Sequence, residues 1–168
     1  MKKLGLAFAG VLLVIAIVAV YVSRSGGARQ PLRFSHTKHL EEVLCVGCHA
    51  YYEEQASAGM PRLEDCLDCH EGTQSEDPED IKEEEKLAQY FERNEEIQWV
   101  RLYHIPGHAF FSHRRHVVLA KLECETCHGD IAKSDVPPER PVQPVTMASC
   151  VSCHQAKDVT VDCNKCHR

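Results

Sequence analysis

Phe111-Ser112-His113-Arg114-Arg115-His116, followed by Cys124-Glu125-Thr126-Cys127-His128, is the stretch that decides the fold. Two histidines three residues apart precede a Cys-x-x-Cys-His box. The pattern occurs earlier as Phe34-Ser35-His36-Thr37-Lys38-His39 followed by Cys45-Val46-Gly47-Cys48-His49. Three further boxes complete the set: Cys66/Cys69/His70, Cys150/Cys153/His154 and Cys163/Cys166/His167. These five boxes contain all 10 cysteines of the chain.

Each box has the form of a c-type haem attachment site. Thiols at i and i+3 lie on one face of a helical turn, so each can form a thioether with one haem vinyl group. The next residue, histidine, is then placed to bind the iron as proximal ligand. Zinc sites, redox dithiols and structural disulfides also use Cys-x-x-Cys. They do not require a histidine after every pair. With 11 histidines in 168 residues, five such coincidences have a chance on the order of one in a million. Zinc boxes also work in pairs, and five is odd. The expectation is five covalent haems c, held by Cys45, Cys48, Cys66, Cys69, Cys124, Cys127, Cys150, Cys153, Cys163 and Cys166. His49, His70, His128, His154 and His167 are the expected proximal ligands.

The N-terminus carries an apolar run from Leu4 to Val22. At 1.5 Å per residue it spans roughly 28 Å, close to the hydrocarbon thickness of a bilayer. Residues 1–24 are therefore expected to be a transmembrane anchor. The competing reading is a signal peptide cleaved near Gly26-Gly27-Ala28, but such peptides have shorter apolar cores. Charge does not orient the run, since Lys2 and Lys3 are opposed by Arg24, Arg29 and Arg33. Covalent haem attachment takes place outside the bacterial cytoplasmic membrane. That implies a single-pass inner-membrane protein with its haem region in the periplasm.

Beyond the anchor, roughly 135 residues serve five haems, too few to build a conventional core around each. The macrocycles themselves must then supply the core. The expected fold is mostly α with much irregular loop, short helices at the boxes and no sheet of note. Residues 30–75 form a two-haem module, 76–98 an acidic helical spacer and 99–168 a three-haem module. The spacer helix begins at Asp77-Pro78, and its Glu83-Glu84-Glu85 run reads as a solvated face. The formal charge of −6 argues against nucleic acid and for a basic or membrane-bound redox partner.

His36 and His39 project from the same side of one turn, whereas the two ligands of an iron approach from opposite faces. Each must therefore serve a different haem, and the same holds for His113 and His116. The fifth distal position falls to His108 or Met147, with His104 behind them, or stays open. Met60 reads as a packing residue.

The doublet and box together resemble the class III multihaem cytochromes c, especially the small three-haem members. The likeness covers residues 111–167 well and 34–70 as a shortened copy. It implies that the first histidine of a doublet serves the haem of the following box and the second serves the next haem. His36 would pair with the Cys45/Cys48 haem and His39 with the Cys66/Cys69 haem. His113 would pair with the Cys124/Cys127 haem and His116 with the Cys150/Cys153 haem. The partner of the Cys163/Cys166 haem is left open, because the chain has Met147 near the place where the family has a histidine.

The whole layout also looks like the membrane-anchored pentahaem subunits of quinol-oxidising assemblies, such as alternative complex III and related quinone reductase complexes. The function this implies is electron transfer rather than catalysis: single electrons pass between a membrane quinol-oxidising partner and periplasmic carriers. The rival reading is a reductase of a small substrate such as nitrite or hydroxylamine, which needs an open iron.

Overall fold

The computed structural model describes residues 10, 12–15, 17–20 and 26–167. The described residues of the N-terminal apolar run are helical. Among the described residues no helix is long and apolar enough to cross a membrane. The expected anchor over 1–24 falls largely outside them.

The rest of the chain is short helices joined by irregular loops. Six are α1 (His36–His39), α2 (Cys45–Cys48), α3 (Leu63–Leu67), α5 (Glu125–His128), α6 (Met147–Ala156) and α7 (Cys163–Cys166). Five of these six carry box cysteines or begin directly after one. The exception, α1, carries the first histidine doublet. The second doublet opens a π-helical turn, Arg114–Leu119. Single 3-10 turns follow the first and third boxes, at Ala50–Tyr52 and Asp130–Lys133. Pairing of extended backbone among the described residues is limited to an isolated antiparallel bridge between Ala109 and His167.

The remaining helix, α4 (Pro78–Arg93), is the longest α-helix between residues 26 and 167, and its ends are written in the sequence. The Asp77 carboxylate accepts from the Glu79 and Asp80 amides at 2.8 and 3.4 Å. Pro78 occupies the first turn, where a missing N–H costs nothing. Glu79 and Asp80 complement the positive end of the helix dipole. At the other end Asn94 adopts a left-handed conformation (φ 48°), and Glu95 N–H closes back onto Tyr90 O at 3.1 Å.

This helix does more than space two modules. Leu87 joins Leu32, Leu63 and Ile97 in a small buried cluster, flanked by Cys66, Tyr90, Phe91 and Trp99. The acidic face is largely spoken for. Asp80 pairs with Lys38 and with Arg33, and Glu83 accepts from the Arg33 amide at 2.8 Å. Glu84 accepts from the Gln74 amide at 2.9 Å. The sequence suggested a solvated run, but these carboxylates clamp the first doublet and the loop after the second box onto the helix.

The described apolar core lies wholly between residues 32 and 97. From residue 99 to 167 no residue is buried, and Phe110, Leu119 and Met147 are more than half exposed. A segment of that length with no interior of its own cannot offset its ordering entropy by burying protein against protein. It needs another apolar body to pack on.

Candidate haem centres

Each doublet is set by the phenylalanine and serine in front of it. Ser35, itself buried, caps α1 by accepting from the Lys38 amide at 3.2 Å. Phe34 meets His36 edge-on (centroids 5.0 Å, 84°) and stacks on His39 (4.1 Å, 27°). Phe111 does the same to His113 (5.0 Å, 85°) and His116 (4.9 Å, 23°). One aromatic ring thus fixes both imidazoles of its doublet. The His39 Nδ1–H donates to Ser35 O at 2.8 Å, and that of His116 to Ser112 O at 2.9 Å.

The same device recurs at other rings. His49 donates from Nδ1 to Gly59 O (2.8 Å), His154 to Thr160 O (2.9 Å) and His113 to Ala56 O (2.7 Å). A carbonyl only accepts, so each bond fixes the tautomer and leaves Nε2 as the free lone pair, as a metal ligand requires.

The free nitrogens belong to rings that face one another in pairs. Centroid separations are 6.1 Å for His39–His70, 6.4 Å for His113–His128, 6.2 Å for His116–His154 and 5.4 Å for His108–His167. His36 neighbours His49: burial, then the nearby His49, holds it below the usual histidine range. Burial likewise lowers His70 and His128, favouring the neutral, ligating form.

Ten of the 11 histidines are thereby accounted for. The remaining one, His104, donates from Nε2 to Arg101 O at 2.8 Å. Met147 lies in the first turn of α6 and is 68% exposed.

This arrangement fits haem. An iron bound by two imidazoles at about 2 Å each puts their centroids roughly 6 Å apart, as the rings here stand. The cysteines beside them are all free. Burial raises the thiols of Cys48, Cys124 and Cys127, and pushes that of Cys66 up to about 11. A reactive dithiol has the opposite, lowered value. Among the described residues no three or more His, Cys, Asp or Glu side chains gather as a metal cluster. The side chains come two by two, which suits a ring that brings four nitrogens of its own. The coreless stretch from 99 to 167 is where such bodies are most needed.

Several supporting residues carry no signature in the sequence. Tyr103 sets its ring against His128 (4.4 Å, 76°), and its buried hydroxyl has no hydrogen-bond partner among the described residues. The buried Nδ1 of His36 has none either. That of His70 lies 3.9 Å from the Glu84 carboxylate. Phe34 and Phe111 were readable as a repeated Phe-Ser-His. Glu84, within an acidic run, was not.

Residues 16–100 match the class III cytochrome C family, and residues 109–168 match cytochrome c7 and related cytochrome c. The chain belongs to the class III cytochrome c family: it is a multihaem c-type cytochrome with covalently attached haem, and its business is electron transfer. More particularly, it is 31% identical over 159 residues to the multiheme cytochrome c subunit of menaquinone reductase from Nitratidesulfovibrio vulgaris (strain Hildenborough). That likeness covers 82% of this chain and 74% of the relative.

Proposed function

We propose that this chain is a pentahaem electron-relay subunit of a membrane quinone reductase complex, receiving electrons from periplasmic carriers. Each haem, when bound, supplies a one-electron Fe(III)/Fe(II) couple. The protein's part is to fix both axial positions with imidazole. The pairs are His36/His49, His39/His70, His113/His128, His116/His154 and His108/His167, with Met147 and His104 outside the set. Saturated irons do not bind substrate, so the chain relays electrons and is not itself the catalyst.

The observation that carries this reading is the pairing of eight imidazoles at haem-like separations, with His36 and His49 as neighbours beside them. The direction of flow, toward quinone, is taken from the relative's name and runs against the quinol-oxidising role that the layout suggested. The two-haem and three-haem modules span 30–75 and 99–168, with α4 strapped onto the first. The apolar run Leu4–Val22 anchors the chain in the bacterial inner membrane, haem region outward.

The test is an electron paramagnetic resonance redox titration of purified holoprotein, combined with its intact mass. Five added haems and five low-spin bis-histidine signals are expected. A high-spin ferric signal that shifts with nitrite or cyanide would turn the reading toward a reductase.

A further inference from the structure

The two Phe-Ser-His-x-x-His units share more than sequence. Their phenylalanines hold both rings at nearly the same angles, and their second histidines donate to equivalent serine carbonyls, Ser35 and Ser112. A 3-10 turn follows the box after each doublet. They are structural copies.

The copies also grip each other reciprocally. The His36 amide donates to Ser134 O at 2.9 Å, just past the turn that follows the third box. His113 donates from Nδ1 to Ala56 O at 2.7 Å, in the loop after the first box. Each doublet is thus anchored on the loop behind the other half's leading box. Contacts between equivalent residues extend this pattern. Cys45 and Cys124 are close neighbours, and His49 lies within electrostatic reach of His128. Reciprocal contact between equivalent positions is the mark of a twofold axis, here within one chain.

The second cysteines point the other way. Cys48 neighbours Cys69 of the second box, and Cys127 neighbours Cys150 and Cys153 of the fourth. The fifth box attaches to the second half, through the Ala109–His167 bridge and a 2.7 Å bond from the Phe110 amide to Cys166 O.

We infer that the two halves meet head to head across a pseudo-twofold axis between their leading boxes. The haem attachment sites then follow the spatial order second, first, third, fourth. The Cys66/Cys69 site becomes one extremity of the array, not a link between the first and third boxes. This inference rests on the five-haem reading above and adds a route to it. The crossing between halves runs from Cys45/Cys48 to Cys124/Cys127.

The decisive experiment is diffraction from crystals of full-length holoprotein at the iron edge, which locates each iron and assigns it to a box. The Cys45/Cys48 and Cys124/Cys127 irons should be the nearest pair across the halves, with the Cys66/Cys69 iron neighbouring only the first. An iron of the Cys66/Cys69 box lying between those of the first and third overturns the order. Fewer than five irons overturns the haem count instead, and the order of those present is then judged separately.

Discussion

The carboxylate of Glu84 stands 3.9 Å from Nδ1 of His70. At His49 and His154 the corresponding nitrogen meets a neutral backbone carbonyl. A charge at this place stabilises the oxidised, more positive iron. Substituting Glu84→Gln should raise the midpoint potential of the Cys66/Cys69 haem alone, by several tens of millivolts at an effective dielectric of about 20. Spectroelectrochemical titration of the variant against the parent checks it. An unchanged set of potentials would make the carboxylate a bystander.

The fifth pair is the one the sequence left open. His108→Ala should convert one haem to a high-spin form, read by electron paramagnetic resonance and by the optical bands that mark high-spin iron. Met147→Ala should leave both spectra as they were. The opposite outcome would hand the position to the thioether.

Phe34 and Phe111 each hold two imidazoles at once. Truncating either to alanine should destabilise the holoprotein by about 2–4 kcal/mol. It should also broaden the low-spin signals of two haems, not one. Denaturant unfolding followed in the Soret band gives the first quantity and resonance line shape the second.

Asp80 is held below the usual carboxylate range, first by its hydrogen bond with Lys38. A lowered folded-state pKa contributes stability that is present above about pH 4 and is lost as pH falls through the folded value. Asp80→Asn should therefore lower the melting temperature at pH 7 and lower it by less at pH 3. Thermal melts at the two pH values decide it.

Much of this site was legible because its chemistry is local. Cys-x-x-Cys-His must be contiguous to reach two vinyl groups and an iron, and His-x-x-His must be contiguous to serve two neighbouring haems. Asp77-Pro78 announced α4 for the same reason, since caps act within one turn. What stayed hidden acts at a distance. Ala56 and Gly59 serve through backbone carbonyls, which every residue has, and Glu84 differs from Glu83 and Glu85 only in where the fold sends it. The solvated reading of the acidic run holds for Glu85 but missed Glu83 and Glu84, because their partners, the Arg33 and Gln74 amides, lie 50 and 10 residues upstream. The sequence leaned to His108 over Met147 without naming its partner, and three-dimensional proximity sets His108 beside His167.

The absence of a buried residue between 99 and 167 has a bearing on quality control in the cell. A chain that escapes maturation has nothing there to fold around and stays open to proteases. Haem loading thus doubles as the chain's protection against proteolysis over that stretch.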